Sequence, residues 1–422
     1  LNRDYENSSI PSSQSRNRRK ISNNRERTGK KPGAQPGHAH HGRKKQETTQ
    51  TVHLPAPEIV AEDPDFKKTK KIITKQLVSI EMILHVTEYQ ADVYRNSKTG
   101  EKVHAAFPAG VVDDVNYDGS IKSLLFLLNT DCAVSIDKSQ RFLSDLTGGK
   151  LKISRGMINK LCREFSSKTE TERKKIFADL LSCPVLHTDC TNARVNGESA
   201  YVFVCASPDE EKVLYFAREK KGHEGVKGTV TEDFQGILVH DHEITFYRYG
   251  SAHQECLAHV ERYLKDSMEN ESSLTWNRRM RELLQRMIHY RKEHTGETSL
   301  DPQTVAGFEA EYQEILDKAK EEYKRNELSP YYREGYNLYR RMQEYKTEHL
   351  LFLHDMRVPT TNNTAERCLR DYKRKQTFAM TFRSLESIEE LCHSKGVLLG
   401  VRKNNPNIYT AVMEIFNRRY GA

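Results

Sequence analysis

The chain has 422 residues, two to three times the length of a typical domain, so several folding units are expected and a small disulfide-stapled module is excluded. Its eight cysteines are widely spaced and form no C-x-x-C pair, which argues against a disulfide framework and favours a reducing, cytosolic compartment. No apolar run approaches the roughly 20 residues that span a bilayer, and the first residues lack the apolar stretch of a signal peptide, so neither membrane insertion nor secretion is expected.

The net charge of +8 is located in the first 50 residues, which contain 12 Lys and Arg against four acids. Few of these residues are apolar, so residues 1–50 are predicted to form a basic arm that stays disordered until it binds a polyanion. A solubilising tail is the alternative. The chain does not begin with Met, which predicts a start inside a longer reading frame. The arm residues expected to contact DNA are Arg18, Arg19, Lys20, Lys30 and Lys31.

Residues 51–115 are predicted to form a small β unit, because residues 86–94 (VTEYQADVY) are rich in strand formers and a turn sequence follows at 96–100. Residues 116–175 show helical spacing of apolar side chains. Within this region, helices at 138–146 and 155–165 flank a Gly-Gly turn, and Ser154 is the predicted N-cap of the second helix. The pair is compatible with helix-turn-helix, and both DNA reading and plain helix packing stay open.

The next segment predicts an α/β sheet with a helical insertion. Short β-rich runs precede a helix candidate at 226–234, and a fourth run follows it. The four predicted strands are residues 185–189, 200–206, 213–217 and 236–241. Residues 266–350 consist almost entirely of helix formers with apolar stripes, so they are predicted to fold as an all-helical insertion in the α/β domain.

Three acidic residues are candidates for chemistry. Asp189 and Asp241 end two predicted strands, and Glu366 lies at the start of a predicted helix. Carboxylates from separate elements can hold two Mg²⁺ ions about 4 Å apart, an arrangement that activates water or a 3′-hydroxyl for in-line attack at phosphorus. The sequence therefore predicts metal-binding and catalytic roles for all three, although an Asp at a strand end is more often a turn former or cap.

Basic residues follow Glu366 and are predicted to form a positive face that contacts DNA, with a solvated face as the alternative. They are Arg367, Arg370, Lys373, Arg374, Lys375 and Arg383. His253, Cys256 and His259 are candidate zinc ligands by residue type, but on one helix this spacing spreads them around the wheel, which disfavours a shared metal. His187 and His259 are instead expected to line the acidic site.

Several short motifs occur in a fixed order. They are NSSIPSS at 7–13, GKKPGAQPGH at 29–38, HTDCTNARV at 187–195, ILVHD at 237–241, HQECLAH at 253–259, NNTAERCLR at 362–370, FRS at 382–384 and NPNIY at 405–409. Each motif alone is loose. Together, and in this order, they resemble the DDE transposases of the insertion-sequence sixty-six type over nearly the whole chain.

This resemblance implies an α/β multidomain protein with an RNase H-like catalytic domain. Residues 176–265 and 351–395 would form that domain, residues 266–350 its all-helical insertion, and residues 396–422 a C-terminal tail. The small β unit and the helical, helix-turn-helix-like region precede it. Asp189, Asp241 and Glu366 match the catalytic acids of the family.

The resemblance also implies an activity and its partners. The expected reaction is hydrolysis of a phosphodiester at transposon ends with Mg²⁺, for which Mn²⁺ can substitute, and transfer of the 3′-hydroxyl into target DNA. The expected partners are transposon-end and target DNA, a second copy of the chain on DNA, and accessory proteins encoded by the element. The expected location is the bacterial cytoplasm, at the nucleoid.

Two departures from the family pattern matter. Asn96 and Thr99 stand where a Cys-x-x-Cys pair would fall in the small N-terminal unit, which argues against a structural zinc ion. His242 and Glu243 replace the usual aromatic and glycine after the second acid, so Glu243 can compete for metal. Two rival functions stay open: a DNA-binding protein of transposase descent that no longer cuts, and an RNase H-like nuclease.

Overall fold

The computed structural model describes residues 44–326 and 334–418. Residues 1–43, which include most of the predicted arm and its five candidate DNA contacts, lie outside the described residues. The chain divides into two compact units, of which the described parts are residues 44–88 and residues 89–326 with 334–418. The first unit contains the short helix α1 (Ile59–Glu62) and otherwise extended chain, in which Gln46 and Gln76 exchange hydrogen bonds of 2.9 and 2.8 Å.

The second unit opens with a two-stranded hairpin, β1 (Val93–Arg95) and β2 (Lys102–His104). The hairpin is shorter than the sequence predicted, since residues 86–92 form no strand. The Asn96 side chain closes the turn by accepting the backbone N–H groups of Lys98 and Thr99 at 2.9 and 3.2 Å. Asn96 thus shapes this turn through its side-chain amide oxygen.

A five-stranded mixed sheet forms the centre of the unit, in the order β5-β4-β3-β6-β7. β3, β4 and β5 pair antiparallel, whereas β6 and β7 run parallel to β3. Its strands are β3 (Val185–Val195), β4 (Glu198–Ala206), β5 (Val213–Arg218), β6 (Ile237–His240) and β7 (Ala252–Glu255). The mixed α/β prediction is confirmed, and the first four strands overlap the predicted ones. β3 continues six residues beyond Asp189, because it pairs with β4 as far as Val195, so the prediction that Asp189 ends its strand is wrong. β7 was not predicted, because the sequence of residues 253–259 suggested a single helix.

Side chains alternate along each strand, so the sheet has two faces, and both faces are buried. Val202 and Val204 of β4 point to a layer formed by α13 (Asn363–Ala379) and α14 (Leu385–Asn404). Cys205 of β4 points to the opposite layer, where it packs with α5 (Glu170–Leu181) and the short helix α7 (Val230–Asp233). Phe203 of β4 packs against Val226 of the short helix α6 (His223–Val226). The sheet is therefore covered by helices on both faces.

A helical bundle precedes the sheet. It contains α2 (Gly119–Phe126), a π-helical turn at Leu127–Asp131, α3 (Ile136–Leu146) and α4 (Arg155–Lys168). The Ser154 hydroxyl caps α4 by accepting the Met157 N–H at 3.1 Å, so the predicted N-cap is confirmed. The last helix, α15 (Ile408–Asn417), returns to pack on α2, and a Cβ at Gly119 would lie 2.4 Å from the Met413 carbonyl oxygen. Glycine at this position thus permits the close approach of the two helices.

The region between β7 and α13 is helical. A core around the fully buried Trp276, Met280 and Tyr312 joins these helices to each other and to β6. The helices are α8 (Leu257–Asn270), α9 (Trp276–Glu293), α10 (Pro302–Arg325), α11 (Glu334–Glu344) and α12 (Lys346–His354). Within the described ranges, every helix is too short or too polar to cross a bilayer.

Candidate active site

Asp189 and Asp241 lie on neighbouring parallel strands. β3 and β6 pair with an offset of 52 residues, as in His187 opposite Val239, and the same offset relates Asp189 to Asp241, the residue directly after β6. Because side chains alternate along a strand, both acids share the face of the sheet on which Ala193 packs against α13. Asp189 and Asp241 thus approach each other at the carboxyl end of β6.

Helix α13 carries Glu366 to the same place. The helix is amphipathic, and its buried residues Ala365 and Leu369 pack against the sheet. Glu366 lies in its first turn with only 13% of its side chain exposed. Its charge is close enough to raise the pKa of Asp189, as does that of Asp241. The structure therefore brings together three acids that are 52 and 125 positions apart in the sequence.

Burial and the charges of neighbouring acids disfavour the ionised forms of Asp189 and Asp241. Burial, followed by the charge of Asp241, raises the pKa of Asp189 to about 8. The Cys190 N–H donates to Asp189 Oδ1 at 2.7 Å and offsets part of this effect. Burial also raises the pKa of Asp241, which the nearby His259 counteracts. A cation between the carboxylates would remove the repulsion that both groups experience.

Carboxylate oxygens are the ligand type that a hard divalent cation prefers. Glu366 Oε1 is buried and has no hydrogen-bond partner within the described part of the chain, as expected for an oxygen reserved for a metal. Glu366 also groups with Cys256 and His259, whose ligand atoms and its own lie within 4.8 Å of one another. However, burial raises the pKa of the Cys256 thiol to about 11, and its sulfur accepts the Asn362 N–H at 3.2 Å. A protonated, hydrogen-bonded thiol is a poor ligand, so the three carboxylates are the better donor set.

The two predicted lining histidines occupy different positions. His259 Nε2 lies 3.5 Å from Glu366 Oε1, and burial lowers the pKa of His259. His187 is fully buried beneath the acids, and burial lowers its pKa to about 4. His259 therefore borders the acids, whereas His187 supports the site from the interior. His253 lies on β7 and Cys256 is the N-cap of α8, so the prediction that they share one helix with His259 is wrong.

Asn362 fixes the start of α13 against the sheet. Its side-chain amide accepts the His187 Nδ1–H at 2.9 Å and donates to the Thr188 carbonyl oxygen at 2.9 Å, while its backbone N–H donates to Cys256 Sγ. The residue is fully buried. These bonds attach the start of α13, which carries Glu366, to His187 and Thr188, the two residues that precede Asp189. Asn362 belongs to a motif visible in the sequence, but no local signal predicts this role.

Lys221 is a basic residue at the acidic site that the sequence did not single out. It forms an ion pair with Glu243, and its charge lowers the pKa of Asp189 and of Asp241. Glu243 also accepts a hydrogen bond from the Thr245 hydroxyl at 3.1 Å. The carboxylate that was expected to compete for metal is therefore neutralised by Lys221.

A second buried polar network connects the sheet to the helices that follow β7. Glu255, at the end of β7, is fully buried and accepts Arg341 Nε–H of α11 at 2.9 Å. His242 Nδ1 lies 2.8 Å from Glu255 Oε1, His349 Nε2 lies 3.3 Å from Oε2, and the Tyr247 hydroxyl donates to the same carboxylate. Burial raises the pKa of Glu255, but these partners outweigh it and hold the pKa far below its usual range. The network holds Arg341 near Asp241, and the charge of Arg341 lowers the pKa of Asp241.

The predicted basic face on α13 is only partly free. Arg370 is exposed and pairs with Glu366, whereas Arg367 pairs with Glu210 on the loop between β4 and β5. Lys373 donates to the Asn192 carbonyl oxygen at 2.6 Å, and Arg374 and Arg383 are exposed. Lys375 turns inward to the Asn129 carbonyl oxygen at 2.7 Å, and burial lowers its pKa to about 8, so it does not belong to this surface.

Comparison with known proteins connects this site to a family. The model of the family described as "Transposase IS66 family" matches residues 132–390, which is more than half of the chain. The matched range contains the whole sheet, the helices after β7 and α13, and thus all three acids. None of the curated proteins compared with the chain matches it.

Proposed function

The chain belongs to the IS66 family of transposases, and on that premise we propose that it cuts DNA at the ends of its element and joins the freed 3′-hydroxyl to target DNA. The observation that carries this proposal is the convergence of Asp189, Asp241 and Glu366 from two adjacent strands and a facing helix. Three hard oxygen donors in one partly buried place are what metal-assisted phosphoryl transfer requires.

The topology of the sheet supports an RNase H-like catalytic domain. Its first three strands pair antiparallel, its last two join parallel to the first strand, and the spatial order by position along the chain is 3-2-1-4-5. The helices of residues 266–350 lie between the fifth strand and the helix with the last acid, and the apolar core that joins them to one another supports their assignment as the insertion. We retain residues 116–175 as the DNA-binding region and residues 51–115 as the small β unit in this scheme.

We assign Mg²⁺ as the cofactor, held by Asp189, Asp241 and Glu366. When bound, Mg²⁺ supplies Lewis-acid activation of the attacking oxygen and charge stabilisation at the leaving oxygen. The buried Oε1 of Glu366, which has no hydrogen-bond partner in the described ranges, and the raised pKa of Asp189 and Asp241 support cation binding in this place.

The remaining residues of the site position the acids and the DNA. Asn362 orients the first turn of α13, and His259 lies beside Glu366. Lys221 presents a positive charge at the rim, where it can meet a phosphate once DNA enters, and Arg370 does the same from α13. The basic arm at 1–50 supplies further phosphate contacts, which would act in the cytoplasm at the nucleoid. We expect a homo-oligomer on DNA because two element ends must meet one target, and element-encoded accessory proteins remain candidate partners.

A cleavage and joining assay tests the proposal. The substrate is a labelled duplex that contains the element's end and its flanking DNA, incubated with Mg²⁺ or with EDTA. Asp189→Asn and Asp241→Asn should abolish both cleavage and joining and leave DNA binding nearly intact, because they remove charge but little volume. Asp317→Asn, an exposed acid on α10, serves as the matched control and should behave as wild type.

The same assay separates the rival functions. Binding without cleavage by the wild-type chain would indicate a transposase-derived DNA-binding protein, and cleavage without joining would indicate a nuclease. Cleavage within a few-fold of wild type by either Asp→Asn variant would refute the assignment of the acids.

A further inference from the structure

Two large apolar side chains stand exposed at the far end of α13. Phe378 is 63% exposed and Met380 is 81% exposed. Within residues 119–326 and 334–418 they are the two most exposed large apolar side chains. Two such side chains, two positions apart at one helix end, offer a small apolar contact surface for a binding partner.

We propose that Phe378 and Met380 insert into or stack on the bases of the element's end close to the cleaved phosphate, so that the helix carrying Glu366 also unstacks the DNA there. This inference rests on the proposed function and adds a base contact to it. Phe and Met are among the side chains that wedge between base steps, and aromatic rings stack on bases of any sequence.

The geometry of α13 connects this pair to the acids. Glu366, Arg370, Arg374 and Phe378 recur at four-residue spacing, so they form one ridge along the helix surface. The last three are exposed. Twelve residues at a rise of about 1.5 Å place Phe378 about 18 Å from Glu366 along the helix axis, which is about five base steps of DNA.

The backbone presents Met380 in a strained conformation. Its φ of 61° and ψ of −57° lie in the left-handed half of the φ/ψ map, and the Thr381 N–H donates to the Ala379 carbonyl oxygen at 2.7 Å, which makes a tight γ-turn. A non-glycine residue in such a turn is strained, and strain of this kind is common at ligand contacts. The turn directs Met380 outward at the end of the helix.

A rigid support lies directly behind the turn. Phe382 packs inward on the core under the sheet, its N–H donates to the Arg194 carbonyl oxygen at 3.0 Å, and its carbonyl oxygen accepts the Asn196 N–H at 2.9 Å. The Asn196 side chain also donates to the Arg383 carbonyl oxygen at 2.8 Å. The hairpin between β3 and β4 thus holds the segment that follows Met380, so the exposed pair is not on a free loop.

The charge around the pair identifies the occupant as nucleic acid. Residues 372–385 contain four basic residues and no acid. Of these four, Arg374 and Arg383 are exposed on either side of Phe378 and Met380. A nucleic acid offers phosphates for Arg374 and Arg383 next to stacked bases for Phe378, and on the proposed function DNA is the polyanion that this domain binds.

Base unstacking can be measured directly by 2-aminopurine fluorescence. The probe is placed singly at the first eight positions from the cleaved phosphate in an end duplex, and the protein carries Asp189→Asn so that no DNA is cut. Binding should raise the fluorescence at one or two positions. Adding Phe378→Ala should abolish the rise and weaken end binding about tenfold, while Phe378→Tyr should preserve both.

Met380 is tested separately. Met380→Gly should raise the melting temperature, because glycine adopts positive φ without strain, and it should reduce the fluorescence rise. Tight end binding without any fluorescence change, or an unchanged fluorescence rise in Phe378→Ala, would overturn this inference and leave the proposed function standing. An absence of end binding by the parent protein would overturn the proposed function and this inference with it.

Discussion

Replacing Asp189 by Asn should make the metal-free protein more stable at neutral pH. In the fold, burial and the neighbouring Asp241 raise the pKa of Asp189 from 3.8 to about 8. Between these two pH values the unfolded chain has lost this proton and the folded chain keeps it, so the folded state binds more protons. Stability then falls as pH rises through this range, and the loss is complete above pH 8.

The size of the effect follows from the same shift. Each pH unit between 3.8 and 8 lowers the free energy of unfolding by about 1.4 kcal/mol. Ionisation of Asp189 in the unfolded chain therefore lowers the stability of the wild-type protein by about 4 kcal/mol between pH 4 and pH 7. Asn cannot ionise, so the variant lacks this slope. Mg²⁺ narrows the difference between the two proteins, because it binds the ionised site of the wild type and adds about 2.7 kcal/mol at 100 times its Kd, but binds the variant more weakly.

Urea unfolding in EDTA and in MgCl₂, at half-unit steps from pH 5 to pH 8, measures both effects. Asp317→Asn is the control and should parallel wild type throughout, since its carboxylate is exposed. A constant difference between Asp189→Asn and wild type across this pH range in EDTA would contradict the electrostatic account of the site. Equal stabilisation of both proteins by Mg²⁺ would contradict the assignment of Asp189 as a ligand.

Three further outcomes are expected. Deletion of residues 1–50 should weaken DNA binding and reduce the slope of log affinity against log salt by about 0.9 for each lost phosphate contact; an unchanged slope would identify the arm as a solubilising tail. Glu255→Gln should lower the free energy of unfolding by about 3 kcal/mol in a urea titration, because Arg341 then stays buried without its counter-charge. A loss below about 1 kcal/mol would show that the network is not stabilising. Asn362→Ala should lower the rate of cleavage at saturating DNA about a hundredfold with little change in DNA affinity, because the helix that carries Glu366 loses the hydrogen bond from Asn362 to His187. An unaltered single-turnover rate would show that Asn362 does not position the acid.

Local sequence patterns determined most of the secondary structure and the location of the acids. The stripe from Trp276 to Met287 predicted a buried helix face, and these side chains are buried. Ser154 predicted the start of α4, since an N-cap needs only its own first turn. Asp189 and Asp241 were identified as acids at predicted strand ends; Asp241 does follow β6 directly, whereas β3 continues to Val195 beyond Asp189. Such signals lie within a few residues of each other, so the sequence expresses them directly.

The tertiary structure alone decided which distant residues meet. Residues 252–255 lack a strong strand pattern and become β7 only because β6 offers them a parallel partner. Lys221 has no local signal for a place beside Asp189, and Arg341 reaches Glu255 across 86 positions. The exposure of Phe378 also depends on which neighbours cover it. Contacts of this kind depend on strand order and helix packing over the whole chain, and no short segment of sequence contains that information.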